Sequence, residues 1–193
     1  MKNIILTGFM GTGKTKVGEL LAEKLNYSFV DLDSLVEKRE GKEISQIFSE
    51  KGEDYFRQKE REALKEALEG QKGKQNQAQS QRKGQVISTG GGVLLREENR
   101  RLMEEKGTLI CLKASPEEIY LRIRGSQERP LLEVEDPLEK IRELLKERKE
   151  LYEKIPISLS TDGKSPEQVA GEIISIINKE FSNSLSNNNH NNK

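Results

Sequence analysis

The chain has 193 residues, a length that suits one domain with a core of its own. Hydrophobic residues make up 33% and charged residues 34%, and 33 Lys+Arg balance 33 Asp+Glu to give zero net charge. That balance argues against nucleic acid or an anionic membrane surface as the main partner, and no apolar run approaches the roughly 18 residues that cross a bilayer.

Asn3 to Thr7 is a short apolar, β-branched run that reads as a buried parallel strand. It starts within three residues, which leaves no room for a signal peptide. A lone cysteine, Cys111, sits in another apolar run and reads as a small buried hydrophobe. Together these features predict a cytoplasmic protein without internal disulfides.

Gly8-Phe9-Met10-Gly11-Thr12-Gly13-Lys14-Thr15 follows and fits G-x-x-x-x-G-K-[ST] at every fixed position. Lys16 to Leu25 then places Val17, Leu20, Leu21 and Leu25 on one helical face. Strand, glycine loop and helix in this order form a phosphate cradle. The glycines let backbone N–H groups curl inward, and the helix adds its positive dipole end. Gly11, Thr12, Gly13, Lys14, Thr15 and Lys16 therefore form the predicted nucleotide site, with Lys14 on the β- and γ-phosphates and the Thr15 hydroxyl on Mg²⁺.

Tyr27 to Asp33 reads as a second strand ending in two carboxylates, Asp31 and Asp33, which share a face if the strand continues through both. Ser34–Arg39 and Glu43–Glu50 read as short helices broken at Gly41, and 52–70 as a longer one carrying Phe56, Arg57, Ala63, Leu64, Ala67 and Leu68. Residues 70–84 contain no large apolar side chain and read as a long polar insertion that bulges outward. Gln85–Thr89 is a third strand running into Gly90-Gly91-Gly92, whose bare amides suit the close approach of a ligand.

Arg96–Lys106 reads as helix and Thr108–Lys113 as the fourth strand. Ser115-Pro116-Glu117-Glu118 has the residues of a capped helix start. That helix runs through Arg122 to Arg124 and leads into a polar loop, about 124–136, that holds Arg129 and suits a mobile lid. Asp136-Pro137 starts the helix Leu138–Lys154, with Arg148 and Tyr152 one turn apart. Ile157–Ser160 is the fifth strand, and Ser165-Pro166-Glu167-Gln168 caps a last helix ending near Phe181. Residues 182–193, rich in Asn and Ser, read as a disordered tail beyond a single domain 1–181. The only histidine, His190, lies there, so a histidine base or metal site is not expected.

Five strands alternating with helices predict a three-layer α/β/α sandwich around a parallel sheet. In such a sheet the phosphate loop, the Asp pair and the triple glycine share one edge. A phosphate clamp, a metal site, a carboxylate for an acceptor hydroxyl and an arginine-bearing lid are the parts of a kinase for a small hydroxylated acceptor. The arginines suggest an acidic one. A gluconate or nucleoside monophosphate kinase, and a non-catalytic nucleotide-binding module, are the alternatives.

The P-loop, Asp31-Leu32-Asp33, Phe56-Arg57, Gly90-Gly91-Gly92, Arg129-Pro130-Leu131-Leu132 and Arg148-x-x-x-Tyr152 resemble the shikimate kinase family in order and approximate spacing, over about residues 3–180. The resemblance implies transfer of the ATP γ-phosphoryl group to the 3-hydroxyl of shikimate, on the way to chorismate and the aromatic amino acids. It implies a nucleoside-monophosphate-kinase-like fold with strand order 2-3-1-4-5, acting as a monomer. Lys14, Asp33 and Arg129 would be catalytic, and Asp31 would join Thr15 near Mg²⁺. Arg57 and Arg148 would grip the shikimate carboxylate, Phe48 and Phe56 would wall the ring, and Gly90, Gly91 and Gly92 would offer amides. Arg129 would touch both shikimate and the transferring group. Arg122 and Pro166 would flank adenine. The insertion 70–84 and the Asn-rich tail depart from the family pattern.

Overall fold

The computed structural model describes residues 3–69, 84–124 and 134–188. The expected Arg129, and most of the insertion and the lid loop, lie outside these residues, as does His190.

Five strands form one sheet: β1 (Asn3–Thr7), β2 (Ser28–Asp31), β3 (Gln85–Ser88), β4 (Gly107–Lys113) and β5 (Ile157–Ser160). Their order is 2-3-1-4-5, as the family resemblance implies, and every neighbouring pair is parallel, as expected from the alternation of strands and helices. β1 lies at the centre, with Ile5 level with Ile87 on one side and Leu109 on the other.

Side chains alternate across the pleat and divide the core into two layers. Ile4, Leu6, Val86, Ile110 and Leu112 pack under helices α1 (Lys14–Leu25) and α7 (Pro166–Asn188). Ile5, Ile87, Leu109 and Cys111 face the other way, into a larger cluster. That cluster includes side chains of α2 (Leu32–Glu40), α3 (Ile44–Glu69), α4 (Glu97–Lys106), α5 (Pro116–Ile123) and α6 (Pro137–Glu153). Cys111 is fully buried, and desolvation pushes its thiol up to about 11, which leaves it an inert core residue.

Helix ends follow the sequence signals. Ser115 accepts from the Glu118 N–H and Asp136 from the Glu139 N–H, each ahead of a proline in the first turn. Ser165 and Gln168 cap each other reciprocally at the start of α7.

Helix α3 is broken at Gly52, with φ 81° and ψ 172°, and so comprises two helices with one number, much as the sequence divided them. Two details depart from the sequence reading. A 3₁₀ turn, Val93–Leu95, follows the triple glycine unannounced. Helix α7 continues to Asn188, past Phe181, because the intervening Asn and Ser residues weaken a helix without breaking it, and no Gly or Pro stands among them.

Candidate active site

The loop from Gly8 to Gly13 crosses the C-terminal end of the sheet at its centre. Gly8 takes φ +134°, and a Cβ there would stand 2.1 Å from the Leu112 carbonyl oxygen. Gly11 and Gly13 also take positive φ, and Gly13 leads directly into α1. Lys14 is buried beneath the loop and donates to the Gly8 and Phe9 carbonyls at 2.9 and 2.8 Å. Thr12 donates to the Phe9 carbonyl at 2.8 Å.

Asp31 and Asp33 are not strand mates. β2 stops at Asp31, whose Oδ1 accepts from the Ser34 N–H at 3.2 Å and so caps α2. Asp33 lies in the first turn of that helix. The cap turns the chain sharply, yet both carboxylates still line the same cavity. The other oxygen of Asp31 accepts from the Thr15 hydroxyl at 2.8 Å. Thr15 and Asp31 thus form a pair of hard oxygen donors beside the phosphate loop.

The cavity has a volume of about 390 Å³ and also takes in Met10, Phe48, Phe56, Arg57, Glu60, Arg148 and the triple glycine. Phe48 and Phe56 meet with ring centres 4.8 Å apart and form an apolar wall. Beside it stands a layer of paired charges, with the Arg57 guanidinium 5.2 Å from the centre of the Phe56 ring. Arg57 donates from Nη1 to Glu60 at 3.0 Å, and from Nε and Nη2 to Glu53 at 3.2 and 2.9 Å. Arg148 lies over the Phe9 ring, and both it and Tyr152 reach the Gly91 carbonyl, at 3.3 and 3.4 Å.

The glycines are small because these side chains occupy the space. A Cβ on Gly90 would stand 2.4 Å from Glu60 Oε1 and 2.6 Å from Asp33 Oδ1, and one on Gly92 would meet the Arg57 guanidinium at 2.4 Å. Asp33 Oδ1 and Glu60 Oε1 are sealed from solvent and accept no hydrogen bond within the described protein. Burial, reinforced by the charges of Glu60 and Asp31, pushes the Asp33 carboxyl up to about 7 against the pull of Lys14 and Arg57. Burial also raises Glu60, opposed by Arg57 and Arg148.

A phosphate loop and a pair of hard oxygen donors therefore meet a second half-site with a carboxylate, two arginines and an aromatic wall. A model of the family described as shikimate kinase matches residues 10–178. The chain belongs to the shikimate kinase family. It is 48% identical over 174 residues to the shikimate kinase of Thermodesulfovibrio yellowstonii, covering 90% of this chain and 94% of that one. The relative from Persephonella marina is 45% identical over 174 residues, covering 90% and 98%. Among solved structures, shikimate kinase from Acinetobacter baumannii in complex with shikimate aligns with TM-score 0.84 and 34% identity, over 93% of this chain and 94% of that one. A gluconokinase from Sinorhizobium meliloti, at 17% identity and TM-score 0.58, shares the fold alone.

Of the residues that the shikimate kinase resemblance singled out, Thr15, Asp31, Asp33, Phe48, Phe56, Arg57, Gly90, Gly91, Gly92 and Arg148 line this one cavity. Gly11, Thr12, Gly13 and Lys14 form or underlie the adjoining loop. Lys16, in the first turn of α1, is exposed and pairs with Glu19 at 3.3 Å. Arg122 and Pro166 stand apart from the cavity. Arg122 donates to the Gly11 carbonyl at 3.3 Å and to Thr161 at 2.9 and 2.8 Å, tying the phosphate loop to the end of β5. Pro166, half-buried, opens α7 five residues after Thr161.

Sequence reasoning passed over Glu53 and Glu60. Their spacing from Arg57, four residues before and three after, was the available signal, since both positions adjoin Arg57 on a helix. Nothing in that spacing distinguishes a buried clamp from the many surface pairs of so charged a chain.

Proposed function

We propose that the chain transfers the γ-phosphoryl group of ATP to the 3-hydroxyl of shikimate, with Mg²⁺, as a monomeric cytoplasmic enzyme of aromatic amino acid biosynthesis. The observation that carries this reading is the single cavity in which Thr15 and Asp31 adjoin Asp33, the triple glycine, Arg57 and Arg148. That no described helix is long and apolar enough to cross a membrane accords with it.

The N–H groups of Gly11 to Thr15 hold the β- and γ-phosphates, with the Lys14 ammonium exchanging its loop carbonyls for phosphate oxygens. Thr15 and Asp31, two hard oxygen donors side by side, would hold Mg²⁺. There it would supply positive charge against the phosphate oxygens. Lys16 lies at the outer edge of the nucleotide site, and Arg122 and Pro166 flank the adenine.

Arg57 and Arg148 grip the carboxylate, and Phe48 and Phe56 wall the ring. The amides of Gly90, Gly91 and Gly92 meet its polar groups. Asp33 accepts the acceptor hydroxyl and orients its oxygen toward the γ-phosphorus. A loose, metaphosphate-like transition state asks more of this positioning than of proton removal. Arg129 is assigned to the transferring group by the family resemblance alone.

The test is ADP release by purified enzyme with ATP and Mg²⁺ against shikimate, gluconate, AMP and no acceptor. Release with shikimate alone is expected. Release with gluconate or AMP in its place would assign a different acceptor, and no release with any would leave a nucleotide-binding module.

A further inference from the structure

Arg57 meets an incoming carboxylate with its best donors engaged. Nε and Nη2, which form the side-on fork that suits a carboxylate, both donate to one oxygen of Glu53, and Nη1 donates to Glu60. Three of the five guanidinium N–H groups are therefore taken by the chain's own acids.

The two acids are not equivalent. The Glu60 side chain is 1% exposed and the Glu53 side chain 50%. Releasing Glu60 would strand a buried charge, whereas Glu53 can return to water at little cost. Glu53 also lies outside the cavity lining, while Arg57 and Glu60 belong to it. Immediately before Glu53, Gly52 breaks the helix at φ 81°, and no atom stands within 4 Å of where its Cβ would be. Glu53 thus begins a helical segment beside open space. The charges point the same way. Arg57 and Arg148 are already balanced by Glu53 and Glu60, so a ligand carboxylate is held best if one acid leaves.

We propose that Glu53 is a built-in competitor for the carboxylate-binding arginine, a stand-in for the substrate's acid group that the substrate displaces. This rests on the reading of Arg57 as the grip on the shikimate carboxylate. Glu53 thereby moderates the site's grip on acids and leaves neutral ligands untouched. A carboxylate replaces one ion pair with another, while a neutral ring leaves Glu53 in place and gains nothing from Arg57.

The test is calorimetric binding of shikimate and of its uncharged methyl ester to the wild-type chain and to Glu53→Gln, with Glu53→Ala as a second variant and thermal melts to establish folding. Both variants are expected to bind shikimate about threefold or more tightly than wild type, the worth of an exposed ion pair, with the ester's affinity unchanged. Weaker or unchanged shikimate binding would overturn the proposal, the former by making Glu53 a support that positions Arg57. Equal tightening of acid and ester would overturn it too. A wild-type chain that binds ATP but no shikimate would overturn the functional reading, and this inference with it.

Discussion

The Thr15 hydroxyl donates to the Asp31 carboxylate at 2.8 Å although sixteen residues separate them. The sheet order brings them together: β3 lies between β1 and β2, and the caps of α1 and α2 turn inward over its end. Asp31 uses one oxygen to cap α2 and the other to meet Thr15, so its two tasks can be separated. Asp31→Asn keeps a capping oxygen but lowers the charge at the metal pair. We predict a rise of about tenfold or more in the Mg²⁺ concentration for half-maximal rate, with the melting temperature little changed. Titration of Mg²⁺ at fixed ATP checks this; an unaltered Mg²⁺ dependence would remove Asp31 from the metal site.

Lys14 donates to the carbonyls of Gly8 and Phe9, bonds that it exchanges for phosphate oxygens when the nucleotide binds, so its charge is set before phosphoryl transfer begins. Such a preorganised charge loses little to reorganisation when the phosphoryl group moves. Lys14→Ala is expected to lower kcat by roughly two or more orders of magnitude. Steady-state kinetics at saturating ATP measures it, and an unchanged kcat would refute the role.

Asp33 makes a pH prediction with a definite sign. Its folded pKa, about 7, lies above the ordinary carboxyl value of 3.8, chiefly through burial. Between those values the folded state holds a proton that the unfolded state has lost, so stability falls as pH rises from about 4 to 7 and levels off above. Asp33→Asn removes the penalty. It should be more stable than wild type at pH 8, by an amount on the order of 2–4 kcal/mol, and no more stable at pH 4. Denaturant melts of the nucleotide-free, metal-free chain across this range test it. A stability difference independent of pH would show that Asp33 is not the group responsible. The same substitution should abolish phosphoryl transfer.

The glycines of the site and of the surface should respond differently. Gly90→Ala drives a methyl group into the sealed oxygens of Glu60 and Asp33. It is expected to destabilise the fold by about 1–3 kcal/mol and to weaken shikimate binding strongly. Gly41→Ala meets open space but keeps φ +65° at the end of α2. Its cost should be about 1 kcal/mol of stability, with no change in kinetics. If Gly90→Ala bound shikimate normally, the cavity would be looser than its geometry indicates.

Much of this molecule was legible in its residues because the deciding signals are local. The strand before Gly8, the glycines that take positive φ, and the Ser–Pro and Asp–Pro helix starts each act within a few residues. Five alternating strands then fixed a parallel sheet, and the strand order came with the family resemblance. Asp33 was misread for an equally local reason, since the carboxylate that ends the strand, Asp31, also caps the helix that takes up Asp33, and an aspartate after an apolar run suits a strand end and a helix start alike.

What the chain could not show along its length was which charges become buried. Arg57, Glu53 and Glu60 follow the same helical spacing as pairs that stay in water, such as Lys59 with Glu62. Only packing of α3 against the triple glycine seals Glu60, sets it near Asp33 across Gly90, and leaves Glu53 at the surface holding the same arginine. The sequence by itself determined the phosphate cradle and the sheet, because periodicity, caps and glycine loops are written in neighbouring residues, while the candidates for the acceptor half-site came with the family resemblance. The tertiary structure alone decided the electrostatics of the acceptor half-site, because desolvation depends on elements far apart in the chain closing over the same atoms.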